Sequence, residues 1–314
     1  HRIAPYRQLF GCAQKLRCPS ELRRIPNYIF IADLHSLTEN FEAKNKGNQI
    51  LDIASSFLAA GLDPQLSTLF IQSRVSAHSE LAWILGTITP TGELTRMTQF
   101  KDKTHRVDTT AGLFTYPVLM ACDIILYDAA QVPTGDDQDQ HLELTRTLAR
   151  KFNTRFGQTF IEPKNLHTML PRVMSLSHPL KKMSKSEPGG CVFIDDEPET
   201  IKRKIMAAVT DSGKEIIFDS VGKPGISNLL EITAALNEKS IQELETIFAG
   251  KNYGEFKAYV AQTVADYFAP IRERKIKLMK NPAKVLKIFT EGSEKAAIIA
   301  NKKMVKVKSK IGLV

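Results

Sequence analysis

Three ammonium groups, Lys181, Lys182 and Lys185, stand beside two small hydroxyls, Ser184 and Ser186, in the stretch Leu180–Gly190. Pro188, Gly189 and Gly190 argue against a continuing helix or strand, so the stretch reads as a basic loop. Lysine acts as a point charge on phosphate, and phosphoryl chemistry is carried largely by positioning and charge stabilisation. A polyphosphate clamp fits this make-up; for a bare basic turn, simple solvation is the plainer reading. A second candidate is Asp123, the one carboxylate in the apolar run Thr115–Tyr127. An unpaired buried charge is expensive, so Asp123 either has donors waiting or caps and pairs locally, and the run itself leaves both open. A third is Gly135–His141, where a glycine turn precedes a helix start with Asp137 as N-cap and Gln140 at the third helical position. Polar groups there suit a nucleotide sugar, although ordinary capping explains them too.

These groups need elements to position them. Tyr28–Ala32 reads as a buried parallel strand ending at Asp33-Leu34-His35, and Ser67–Gln72 as a second. Between them Ile50, Ile53, Ala54, Phe57 and Leu58 repeat at helical spacing until Gly61 and Pro64. A β-α-β order of about 30 residues predicts a doubly wound parallel sheet, with polar groups at the carboxyl ends of its strands. Ser79–Gly86 reads as helical, Thr91–Lys103 as polar with helical spacing, and Leu144, Leu148, Phe152 and Phe156 mark a helix closed by Gly157. Beyond the basic loop the pattern changes. Pro198–Val209, Ser227–Leu236, Ile241–Phe248, Gly254–Phe268 and Ala283–Ala300 read as amphipathic helices. The expected fold is therefore α/β, a doubly wound parallel sheet over 1–190 followed by an all-helical C-terminal domain over 191–314, with 1–27 irregular.

Composition narrows the function. The 314 residues are 43% hydrophobic and 25% charged, ordinary for a globular protein. No apolar run approaches the roughly 18 residues of a membrane span, and no secretory leader is read at the front, where His1 stands in place of Met. The four cysteines lack metal-ligand spacing, so neither a disulfide framework nor a protein-bound metal is expected, and a cytoplasmic setting is. The net charge of +9 is uneven: residues 251–314 hold 15 Lys and Arg against 5 Asp and Glu, while the rest hold 28 against 29. Such an excess suits a surface meeting a polyanion, as well as a solvated basic helix.

Lys182-Met183-Ser184-Lys185-Ser186 matches the signature loop of class I aminoacyl-tRNA synthetases. From about Tyr28 to Ala300 the chain resembles the bacterial-type tryptophanyl-tRNA synthetase family, with further agreement at Ala32–Thr38, Arg96–Lys101, Ala111–Pro117, Leu119–Tyr127, Gly135–Arg146, Arg172–Leu176 and Lys223–Leu230. The resemblance implies a Rossmann-like nucleotide-binding domain, an anticodon-meeting helical part and a homodimer. It implies ATP-dependent ligation of L-tryptophan to tRNA through tryptophanyl-adenylate, with Mg²⁺ carried in by ATP. Residue by residue, it implies that Asp123 accepts the indole N–H and that Met120 and Tyr116 line the ring. His35 and Gln138 would sit near the amino acid's polar end. Gly135, Asp136 and Asp137 would hold ribose, with Val173 against adenine. Lys182 and Lys185, in the loop with Met183, Ser184 and Ser186, would close on pyrophosphate. A tyrosine-specific synthetase would need a phenol-binding partner in place of Asp123.

The family's opening strand and its ATP-cradling His-x-Gly-Asn-Tyr-x-Gly-Ala helix start are missing from residues 1–27. A non-catalytic tRNA- or tryptophan-binding relative is therefore the alternative reading. Read one nucleotide later, with synonymous codons allowed, Pro5–Leu16 yields His-Ile-Gly-Asn-Tyr-Leu-Gly-Ala-Leu-Arg-Asn, which implies a displaced reading frame before about Asn27. The nucleotide sequence tests this: Arg7 is expected to be encoded by AGG or CGG, and any other codon excludes the account.

Overall fold

A computed structural model describes residues 27–97, 110–135, 138–166, 173–184 and 187–314. The chain divides into two compact units, His1–Thr168 with Leu278–Val314, and Met169–Lys277.

In the first unit, β1 (Asn27–Ile31) and β2 (Ser67–Ile71) pair in parallel, from Asn27 opposite Ser67 to Ile31 opposite Ile71. Parallel neighbours need a crossover, which α1 (Ala43–Ala59) supplies. It stops as expected just before Gly61, whose φ of 98° lies in the left-handed region. The expected β-α-β unit is present. Then come α2 (Ala77–Gly86), α3 (Thr91–Thr95), α4 (Ala111–Ile125), and α5 (Asp139–Phe156), with a two-residue parallel pair, β3 (Gln131–Val132) and β4 (Lys164–Asn165). Phe30, Phe70, Leu85, Ile125, Leu148 and Phe152 belong to one buried core joining sheet and helices. The apolar run holding Asp123 is thus a helix: Thr110 caps it by accepting from the Leu113 N–H at 3.2 Å. Helical spacing sets Tyr116, Met120 and Asp123 on one face.

The second unit holds α6 (Pro198–Met206), α7 (Pro224–Asn237), α8 (Ile241–Ile247) and most of α9 (Tyr253–Met279). α8 opens with a capping box in which Ser240 and Glu243 satisfy each other's backbone N–H groups. The buried Lys275 ammonium meets Asp195 at 2.6 Å.

Two features depart from the sequence pattern. α9 runs on through Pro270 to Met279, well beyond Phe268, and α10 (Pro282–Ile311) continues eleven residues past Ala300. The compact units are also cut at 168/169 and 277/278, whereas the change of pattern falls near 187–195. The basic loop packs with the helical part, while α10 rejoins the first unit by lying along β2. There Gly292 is so close to Leu69 that a Cβ would collide with its carbonyl oxygen, and the Ser293 hydroxyl accepts from the Ile71 N–H at 3.2 Å. Periodicity reports a helix's apolar face but not its partner.

Gly292→Ala is accordingly expected to cost about 1–3 kcal/mol through overpacking, read as a lowered melting temperature. Gly47→Ala in α1, where nothing lies within 4 Å of the added Cβ, should be neutral or gain about 0.5–1 kcal/mol.

Candidate functional site

Asp123 organises the first unit's site. Its side chain is wholly buried, and each donor comes from a different stretch of chain. His35, just past β1, places Nε2 2.8 Å from Oδ2. Gln72, just past β2, donates Nε2–H to Oδ1 at 2.7 Å, and its own Oε1 accepts from the Leu34 N–H at 3.2 Å. His78, on α2, places Nδ1 2.6 Å from Oδ1. Burial by itself would raise the Asp123 pKa. The hydrogen bonds from His35 and His78 outweigh it and hold the carboxyl well below the usual carboxylate range. The donors that the apolar run left in question therefore exist, and they are not local.

Around this carboxylate the predicted ring-lining residues gather. The Tyr116 ring meets His35 edge-on, centroids 6.2 Å apart, and its hydroxyl lies 2.9 Å from His141 Nε2. Both partners are buried, and His141 belongs to the first turn of α5. Met120, 2% exposed, sits between Tyr116 and Asp123 along α4. Gln138, the N-cap of α5, donates its N–H to the Gly135 carbonyl at 2.9 Å. That corrects the cap assignment, because the helix begins at Asp139 and not after Asp137; Asp136 and Asp137 themselves lie outside the described residues. His35, expected beside the substrate's polar end, hydrogen-bonds Asp123.

At the strand ends, Asp33 accepts from the Ser73 N–H at 2.9 Å and also from the Ser73 hydroxyl. The two carboxyl ends of the parallel pair are thereby latched together beside His35 and Gln72.

The second unit carries Val173, Lys182, Met183 and Ser184. The basic loop returns antiparallel against Val173–Ser175. The Ser175 N–H donates to the Lys181 carbonyl at 2.8 Å, and the Met183 N–H to the Val173 carbonyl at 3.2 Å. Strand alternation buries Met183 and exposes Lys182 and Ser184. Asn228 of α7 acts as a substitute peptide group for this strand: its Oδ1 accepts from the Met174 N–H at 2.8 Å, and its Nδ2 donates to the Met174 carbonyl at 3.0 Å. Lys185 and Ser186 lie outside the described residues, as does the altered front end.

Gln72, His78, Tyr127 and His141 were not singled out from sequence. A histidine in the apolar helix of α2 and a glutamine at a strand's carboxyl end were the available signals. Among the described residues, no group of three or more His, Cys, Asp or Glu could hold a metal ion, and no helix is long and apolar enough to cross a membrane.

The family model for class I tRNA synthetases (W and Y) matches residues 15–269. A tryptophan--tRNA ligase of Leifsonia xyli is 45% identical over 291 residues, covering 91% of this chain and 86% of the relative. Tryptophanyl-tRNA synthetase from Mycoplasma pneumoniae superposes with a TM-score of 0.83 at 34% identity, over 91% of this chain and 88% of its own. The Campylobacter jejuni enzyme, solved with ADP and tryptophan, gives 0.82 at 34% identity, over 98% and 95%. The fold is thus Rossmann-like, with a small parallel sheet and a helical C-terminal region.

The depressed Asp123 pKa has a sign that can be tested. The stabilisation is present above the ordinary unfolded carboxylate value, about 4, and is lost as pH falls toward the lower folded value. In urea unfolding, the stability gap between the unsubstituted protein and Asp123→Asn should be constant at neutral pH and shrink only under acid.

Proposed function

The chain belongs to the class I tRNA synthetase family for tryptophan and tyrosine, and we propose that it ligates L-tryptophan to tRNA in two steps. The tryptophan carboxylate attacks the ATP α-phosphorus; the bond to the leaving pyrophosphate breaks and tryptophanyl-adenylate forms. A hydroxyl of the tRNA's terminal ribose then attacks the acyl carbon, and AMP leaves. Family membership disfavours the binding-only alternative.

The observation that carries this reading is the buried acceptor at Asp123. A carboxylate offers about four acceptor directions; the described donors take two on Oδ1 and one on Oδ2. The remaining direction on Oδ2 would receive the indole N–H, which can only donate. A phenol presents no such group, and a substrate without the N–H would leave a buried charge undersatisfied. Tyr116 and Met120 would flank the ring. Gly135 and Gln138, at the start of α5, would meet ribose and the amino acid, with Asp136 and Asp137 assigned to ribose and Val173 to adenine. Lys182 and Lys185 would steady charge on the departing pyrophosphate, with Mg²⁺ arriving on ATP.

The functional division runs 1–190 for adenylate chemistry and 191–314 for tRNA contact, with the exposed Lys280, Lys284, Lys287, Lys302 and Lys306 available to phosphates. Not all of the basic excess is available: Lys275 and Lys303 are buried against Asp195 and Asp128. A cytoplasmic homodimer completes the reading.

Tryptophan-dependent pyrophosphate exchange tests the proposal, run on this chain beside a version whose front end follows the shifted frame. Exchange should appear with tryptophan and not be displaced by tyrosine; its absence from both versions would overturn the reading. Asp123→Ala should abolish tryptophan affinity while leaving ATP binding nearly unchanged. Lys182→Ala should slow adenylate formation by at least about tenfold with little effect on tryptophan binding.

A further inference from the structure

His78 and Tyr127, neither of them assigned to ATP or to the ring, form a buried chain that ends on the Asp123 carboxylate. His78 Nδ1 lies 2.6 Å from Asp123 Oδ1, and its Nε2 lies 2.8 Å from the Tyr127 hydroxyl. The His78 side chain has no exposed surface. The rings of Phe30, Phe70 and Tyr127 surround it, with centroids 6.0, 6.0 and 5.5 Å away. Tyr127 is itself buried and stacked on Tyr28 at 4.8 Å.

We infer that Tyr127 and His78 form a positioning relay that fixes which oxygen of Asp123 serves the substrate, and so sharpens selection of the indole N–H. This rests on the tryptophan reading above.

Donors and acceptors decide the arrangement. The ionised carboxylate of Asp123 only accepts, so Nδ1 must carry a proton. Burial first, and then the neighbouring Asp123 charge, pushes the Tyr127 pKa well up, so its hydroxyl keeps its proton and can donate. A neutral imidazole satisfies both neighbours in one tautomer alone: Nδ1–H toward Asp123, with Nε2 accepting from Tyr127 O–H. Asp123 thereby fixes the tautomer, the Tyr127 hydroxyl satisfies the Nε2 that this leaves bare, and the pair commits Oδ1 to the protein. Gln72 reinforces the commitment by donating to the same oxygen. Oδ2, held only by His35 among the described residues, is the oxygen left to discriminate. Without the relay Oδ1 is held by Gln72 alone among the described residues, the carboxylate plane can tilt about its Cβ–Cγ bond, and a poorly aimed acceptor discriminates less.

Sequence alone offers no view of this arrangement. His78 and Asp123 are 45 residues apart, and the Tyr127 hydroxyl reaches back from the turn that follows α4.

The test uses the full chain and needs no ATP. Imidazole ¹⁵N spectra should show His78 with a protonated Nδ1 and an unprotonated Nε2; the opposite tautomer, or an imidazolium, overturns the relay. Calorimetric titration with L-tryptophan supplies the second arm, with a thermal melt confirming that each variant folds. Tyr127→Phe and His78→Ala should each weaken tryptophan binding about tenfold, the scale of a lost hydrogen bond to a charged group. His78→Asn should recover most of that loss, because the Asn Nδ2 donor stands where Nδ1 stood. A merely structural role predicts that Asn fares no better than Ala at this packed position. Equal binding by the unsubstituted chain, Tyr127→Phe and His78→Ala overturns the relay alone. No tryptophan binding by the unsubstituted chain, while it still melts cooperatively, overturns the tryptophan reading and the relay with it.

Discussion

A carboxylate taken out of water must be met by donors, and in this protein that demand at Asp123 draws together chain segments with no other reason to converge. Placing an ionised group among apolar side chains is tolerated only where hydrogen bonds replace its hydration. Here they come from the exits of both strands and from α2. Gln72 and His78 are in turn held by groups further out. Gln72 also accepts from the chain leaving β1, and Asp33 latches the strand ends through Ser73. The parallel pair therefore does more than enclose a core: it aims polar groups from its carboxyl ends at one point, where open α/β sheets take their ligands.

The second unit applies the same principle to backbone rather than charge. The strand Val173–Ser175 is paired on one side by the basic loop and at Met174 by the amide of Asn228, so both peptide groups of that residue are satisfied. Gly225, one turn earlier in α7, lies where a Cβ would collide with the Val209 carbonyl, and this close approach lets Asn228 reach the strand. The Pro-Gly-Ile-Ser-Asn run is thus a docking device for the strand that supports Lys182. The placement of Lys182 in the loop is thereby tied to a helix some forty residues downstream.

How much of this was legible beforehand follows from the range of each interaction. The β-α-β unit, the stripe Leu144–Leu148–Phe152 and the stop at Gly61 are local patterns, and they appear where spacing placed them. Asp123 announced itself because a carboxylate in an apolar run needs explaining. Its donors did not, because His35, Gln72 and His78 are brought in by tertiary folding over 45 to 88 residues. Spacing understates the length of α10 because Lys302, Lys303 and Lys306 resemble a solvated end. Lys303 is in fact buried, with its ammonium 2.6 Å from Asp128. A charged residue is scored as surface by any pattern rule unless its partner is known.

The central claim is that one buried acid recognises the indole N–H. The most direct measurement compares, by calorimetry on the unsubstituted protein, the dissociation constants of L-tryptophan and its benzothiophene isostere, which keeps the ring shape but has sulfur in place of N–H. The account predicts that the isostere binds weaker by about a hundredfold or more. Equal affinity for the two would contradict it.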